Sequence, residues 1–344
     1  MTTIRIVSLL RRRSAVALPL AALASSLLLL APVARAGDAD ANVATVGGSA
    51  GEAAQGRVVL APHWRVGDHV AYLLTHRSEE GSGTPAMPDR RSLVTLDVRA
   101  ADAQGYVVDW LVGPPPGMEQ PLPTDPDELA LMHAVMSMPL KLRIDAQGRV
   151  AELLNWQEVR VLSNRVMDFQ VKGLKARGMS PEGLARMAEQ QRARLADEEA
   201  VRHARAEDAV TLLQLLGHAY ERAQPVQMLE EVASPWGGDP MRATERFELI
   251  GLDDKAHATS ARMTIVFDPA MMREQYRAML KQSIKQLGSR GADLDASAIP
   301  AFDAQLVFEA TVDDASGWPR TSRRTLRASG PGLDMSETVL FERQ

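Results

Sequence analysis

Apolar and polar residues alternate with a period of two in one run after another, and clusters of turn-forming residues separate the runs. Tyr106, Val108, Trp110 and Val112 fall on one side of such a run. Leu140, Leu142 and Ile144 do so around Lys141 and Arg143, and Leu306, Phe308, Ala310 and Val312 repeat the pattern. A strand turns successive side chains to opposite faces, so the alternation describes a sheet with one face covered and the other wet. The same reasoning places strands at 70–77, 92–100, 150–154, 247–252, 257–267 and 318–328. Asp102-Ala103-Gln104-Gly105, Asp145-Ala146-Gln147-Gly148, Asp253-Asp254-Lys255 and the segment 313–317 are turn sequences between neighbouring runs. Such short connections join antiparallel strands.

Two helices open with the same device. At Asp125-Pro126-Asp127-Glu128 the aspartate can cap the helix, the proline suits the first helical position, and Glu128 is spaced to reach back as in a capping box. Leu129, Met132, His133 and Met136 then form one stripe. Asp268-Pro269 opens a second helix, expected to reach about residue 287. Strand-turn-strand, a capped helix, then strand-turn-strand thus occurs twice, which points to two related halves. Between them, residues 155–222 read as a helical insertion: Trp156, Val159, Leu162, Val166 and Phe169 form an apolar stripe, and Arg194, Glu198 and Arg202 stand four apart on a polar one. The fold class expected is α+β, a large curved antiparallel sheet with packed helices and that insertion over 155–222.

The chain begins with a candidate export signal over 1–36: Arg5 and Arg11-Arg12-Arg13, an apolar stretch from Ala15 to Val33, then Ala34-Arg35-Ala36 as a small-x-small cleavage pattern. Cleavage is expected after Ala36, with the periplasm as destination. Residues 37–60 read as a linker and 61–344 as the α+β domain. The first 36 residues hold five arginines and no acid, so their removal leaves 34 basic against 44 acidic groups, a net charge of −10. Nucleic acid is a poor partner for such a chain, and no membrane span is expected after cleavage. With no cysteine in 344 residues, disulfides, thiolate metal sites and cysteine nucleophiles are excluded.

Few residues carry a chemical signal. Gly47-Gly48-Ser49-Ala50-Gly51 fits the nucleophile-elbow pattern but lacks the strand and helix that make it work. Asp38-x-Asp40-x-Asn42 opens like a calcium loop, yet Val43 and Ser49 stand where glycine and glutamate are needed. His69 and His76 differ by an odd number along one strand and must face opposite sides, so no metal or other cofactor is expected. Asp109, with Asp97 on the preceding strand, is the best acid for a hydrolase, but a salt bridge to Arg99 or Arg77 explains it more simply. Arg320, Arg323, Arg324 and Arg327 form a candidate anion patch, with Arg324 pointing away from the face that Arg323 and Arg327 share. The sixteen methionines are read first as core filling.

Trp64-x-x-Gly67-Asp68-x-x-x-Tyr72, with Asp145-x-x-Gly148-x-Val150-x-x-Leu153-x-Asn155-x-x-Glu158-Val159, resembles a pattern in uncharacterised exported bacterial proteins. The resemblance implies an antiparallel sheet with helices against it and a periplasmic address; it carries no activity. The half-barrel lipoprotein carriers of the periplasm are a more distant analogy of architecture, without shared motifs. The leading functional expectation is therefore a non-enzymatic envelope protein that takes a lipid-like or peptide ligand in an apolar cleft between sheet and helices, with Trp110, Met132, Met136 and the loop residue Trp236 as candidate ligand-binding residues and no catalytic residue. The alternatives are a hydrolase with an acidic catalytic residue and a structural partner in an envelope complex, docked through the helical insertion.

Overall fold

The computed structural model describes residues 56–80, 88–115, 117, 123–222, 224–232, 240–275, 277–278, 303–330 and 333–344. The motifs at 38–42 and 47–51, the loop residue Trp236 and the far end of the second capped helix lie outside these residues.

Eleven strands form one antiparallel sheet. In chain order they are β2 (His69–Glu80), β3 (Arg90–Asp102), β4 (Gly105–Gly113), β5 (Leu140–Ile144), β6 (Val150–Leu153), β8 (Val226–Val232), β9 (Met241–Asp253), β10 (Ala258–Phe267), β11 (Asp303–Asp313), β12 (Pro319–Gly330) and β13 (Leu333–Arg343). Their order across the sheet is β6-β5-β4-β3-β2-β13-β12-β11-β10-β9-β8. Two meanders thus run the same way and meet at the β2–β13 seam, where Phe341 lies opposite Leu74 and Val339 opposite His76. A separate ribbon pairs β1 (Arg57–Val59) with β7 (Ala219–Glu221). β1 falls inside the stretch read as linker; three residues are too few for an alternation to register.

Each expected strand is present, most of them longer by one to several residues. Two strands of the large sheet were missed, β8 and β13, and β7 fell inside the stretch read as helical. β8 and β13 each carry a glutamate on the side that faces the core, Glu230 in one and Glu337 in the other, and that interrupts the apolar alternation.

Five helices lie wholly within the described residues, α1 (Pro126–Ser137), α2 (Trp156–Ala176), α3 (Pro181–Ala193), α4 (Glu198–Arg205) and α5 (Glu207–Leu213), and the start of a sixth lies at 269–275. Asp125 caps α1 as expected, its Oδ1 accepting from the N–H of Asp127 at 2.8 Å and of Glu128 at 3.2 Å. Asp268 does the same for the helical turn at 269–275, accepting from Ala270 at 2.8 Å and Met271 at 3.0 Å. The capping box does not form: Glu128 is buried and its Oε1 has no partner.

The chain between β6 and β8 links opposite edges of the sheet. It breaks into α2–α5 and β7, with the helix restart expected at Ser180-Pro181-Glu182 present as α3, and with turns at Gly178 and Gly217, both at positive φ. α4 packs on β6, α5 on β12 and β7 on β9. Gly217 (φ +76°) and Gly148 (φ +94°) interlock: a Cβ on Gly217 falls 2.7 Å from the carbonyl oxygen of Gln147, and one on Gly148 falls 2.7 Å from Leu216 Cβ. The β5–β6 turn therefore seats the exit of the helical stretch, and only residues without side chains allow so close a contact.

One contiguous core fills the covered face. Tyr72, Leu74, Val94, Leu96, Val108, Trp110, Leu142, Met263, Ile265, Phe267, Phe308, Leu326 and Phe341 come from the sheet, and Val201, Ala209, Leu212 and Leu213 from α4 and α5. At one end Trp64 stacks on Trp318, with ring centroids 3.9 Å apart and planes at 9°.

Candidate functional site: a charged cluster on the covered face

The strand alternation puts His76 of β2, Arg324 of β12 and Glu337 of β13 on the covered side, where nearly every other inward residue of the central strands is apolar. Arg324 lies opposite Val339 across the β12–β13 pair and Leu326 opposite Glu337, so both charged side chains sit beside an apolar one. α5 lays its first turn over them. Arg324 Nη1 meets Glu207 Oε1 at 2.5 Å and Arg324 Nη2 meets Glu337 Oε1 at 3.1 Å. His76 Nε2 stands 3.6 Å from Asp208 Oδ1, and Ser322 Oγ donates to the Thr211 carbonyl at 3.1 Å. The Arg324 side chain is only 9% exposed, and its Nε has no partner.

Three carboxylates thus surround one obligate cation and one histidine. Removing an arginine from water costs several kcal/mol unless its donors are engaged, and here two acids from two different elements engage it. Burial is the largest influence on Glu207 and raises its pKa; the charges of Asp208 and Glu337 add to the rise, and Arg324 offsets only part of it. The arrangement can hold α5 to the sheet, exchange a proton at Glu207 and respond to charge. Glu207 and Asp208 open α5, where the N-terminal dipole also favours acids.

Trp110 is 2% exposed on β4, edge-on to Phe341 at 6.1 Å between centroids. Met132 is buried on α1, but outside the contiguous core that holds Trp110, and Met136 is half-buried. Trp236 lies outside the described residues, and α1, which carries Met132 and Met136, packs against β4, which carries Trp110. Met241, Met263 and Met272 are fully buried members of the core, as core filling requires.

Asp109 faces the open side of the sheet. Its Oδ2 accepts from Arg99 Nε at 2.7 Å, and Arg99 also reaches Asp97 at 3.2 Å. His69 Nδ1 joins the same row, 2.8 Å from Asp97. This is the salt-bridge ladder the sequence made the simpler reading of Asp109. His69 and His76 do face opposite sides, and no group of three or more potential metal ligands occurs among the described residues.

The four arginines of β12 do not form a patch. Arg324 points into the core as described. Arg320 Nη2 pairs with Asp313 at 2.7 Å and with the Ala256 carbonyl at 2.6 Å, and the hydrogen bonds that Arg320 and Ser316 donate draw the Asp313 carboxyl down to about 2. Arg323 approaches Glu309 at 3.9 Å on the open face. The sequence located Arg324 on the inward side but gave no sign of its partners, because Glu207 and Glu337 lie 117 and 13 residues away. No helix among the described residues is long and apolar enough to cross a membrane. Neither a protein-family model nor a curated protein matches the chain.

Proposed function

We propose that the protein is an exported, non-enzymatic carrier in the bacterial envelope, which takes the apolar chain of a lipid-like molecule between the sheet and the helical segment that crosses it. The observation that carries the reading is the construction of the cover. A single connection, α2–α5 and β7, joins the two outer edges of the sheet, packs α4 on β6 and α5 on β12, and is tied to the central strands by the cluster around Arg324. Such a cover can part from the sheet over α4–α5 without breaking a strand pair, and the face it uncovers is apolar along Phe308, Leu326, Val339 and Phe341. An apolar face of this composition suits acyl chains.

Arg205 supports an anionic head on that molecule. It stands one turn beyond the fully buried Val201 on α4, its Nε has no partner, and burial together with the charge of Arg194 lowers its pKa to about 10. A guanidinium at the margin of an apolar core is suited to a carboxylate or phosphate. The Asp109 hydrolase finds less support, since that carboxyl is engaged by Arg99 in the open row. The matching order of three strands, a capped helix and further strands in each meander favours two related halves, with 155–222 inserted between them. Export through residues 1–36 and the resemblance to exported sheet proteins belong to the same proposal.

The test is recovery of the protein from cells without detergent, solvent extraction and mass spectrometry of the extract, followed by titration with a fluorescent fatty acid. A stoichiometric lipid, or saturable probe binding weakened by Arg205→Met, supports the carrier. Absence of both refutes it.

A further inference from the structure

The two edges of the sheet are finished differently. At β6 the edge is covered: α4 packs on it, the Leu153 N–H donates to Glu198 Oε1 at 2.9 Å, and the Val150 carbonyl accepts from Arg202 at 3.4 Å. Helix side chains thus take the groups a further strand would use. At β8 the only strand partner among the described residues is β9. β8 is seven residues long, Val226-Gln227-Met228-Leu229-Glu230-Glu231-Val232, and holds neither the proline nor the lysine that commonly blocks an edge. Leu229 at its centre is 73% exposed, the most exposed of the large apolar residues. It lies opposite Thr244, which lies opposite the exposed Val266, so these three form an open-face row that ends at an edge with no further strand among the described residues.

We propose that β8 is a self-association edge, and that two copies of this chain pair β8 against β8 in antiparallel register about a two-fold axis at Leu229. The sequence of the strand is complementary to itself in that register. Leu229 meets Leu229 of the second copy, Met228 meets Glu230, Gln227 meets Glu231 and Val226 meets Val232. No glutamate faces a glutamate, although the strand carries two of them side by side and the whole chain is acidic. Moving the axis to Glu230 or Glu231 would oppose like charges, and moving it the other way would leave part of the strand unpaired, so the centred register combines full overlap with no opposed glutamates. An antiparallel two-fold pair also keeps the covered faces of both sheets on one side and extends the open-face row across the junction from Val266 to its symmetry mate. The contact is a single strand pair, below the area of about 1,200 Å² typical of stable interfaces, so a weak, concentration-dependent dimer is expected.

The absence of cysteine makes the test clean, since an introduced thiol is the only one in the chain. Leu229→Cys places the two thiols directly opposite, where cross-strand Cβ atoms are about 4.5–5.5 Å apart, and mild oxidation gives a covalent dimer. Gln227→Cys alone does not cross-link, because the two copies of position 227 are about 13 Å apart in this register. Gln227→Cys with Glu231→Cys restores cross-linking. Sedimentation of the cysteine-free protein shows a reversible dimer at concentrations up to about 0.2 mM, and Leu229→Lys weakens it at least tenfold with an unchanged circular dichroism spectrum. Equal cross-linking at 227 and 229, no cross-link at 229, or a monomer at every concentration overturns the proposal. So does a second copy displaced from β8 by a heterologous extended peptide that binds tighter than the copy itself.

Discussion

Replacing Arg324 with methionine removes the cation that bridges Glu207 and Glu337 and leaves the two carboxylates facing each other across the gap it occupied. Breaking a buried ion pair from one side costs about 3–5 kcal/mol, because the remaining charge stays buried without its partner. Two features move the value here. Two carboxylates lose their partner, which adds repulsion; but the Glu207 and Glu337 side chains are 28% and 22% exposed, so water screens them and Glu207 can take up a proton. The expected loss is about 3 kcal/mol at pH 7. The triple change Arg324→Met, Glu207→Leu, Glu337→Val fills the same volume with apolar groups and restores stability to within about 1 kcal/mol of the parent or beyond it. Urea unfolding followed by circular dichroism and by tryptophan fluorescence measures both, provided the two probes coincide. If Arg324→Met costs less than about 0.5 kcal/mol, or the triple variant is less stable than the single one, the cluster does not act as a buried charge clamp.

The same cluster has a pH signature. A carboxyl whose pKa is raised on folding contributes most to stability below the ordinary carboxylate range, and that contribution is lost as pH rises through the raised value. Glu207→Gln, which has no charge to develop, therefore gains stability relative to the parent between pH 4.5 and 7; parallel stability-pH curves would contradict this. Asp313, drawn down to about 2 mainly by the hydrogen bond from Arg320, has the opposite sign: its contribution is present above pH 3.8 and lost as pH falls toward 2, so Asp313→Asn flattens the acid limb of the unfolding curve. Gly217→Ala forces a side chain into a positive-φ position 2.7 Å from the Gln147 carbonyl and is expected to cost at least about 2 kcal/mol in urea unfolding, whereas Gly178→Ala, with no atom within 4 Å, carries only the backbone strain. Tyr72→Phe deletes the 2.8 Å bond to the buried Pro319 carbonyl and should cost about 1–2 kcal/mol, the unpaired carbonyl setting the scale.

Period-two alternation and Asp-Gly turns are local, and the sequence by itself determined what depends on them: nine of the long or medium strands, the antiparallel sense of each hairpin, both Asp-Pro caps and the outward-facing row of Asp97, Asp109 and Arg99. The same parity placed His69 and His76 on opposite sides and separated Arg324 from Arg323 and Arg327. Tertiary structure alone decided which strands adjoin. The β2–β13 seam joins residues some 260 positions apart, and β13 itself hid in the sequence because Glu337 stands where an apolar residue was sought. That glutamate is tolerable because Arg324 on the neighbouring strand engages it, and Arg324 in turn meets Glu207 from a helix more than a hundred residues earlier, a set of partners no local pattern encodes. The separation of Trp110 on its strand from Met132 and Met136 on their helix is tertiary for the complementary reason: a helix stripe and a strand face each reveal which side is apolar, but the distance between them is set by every element packed in between.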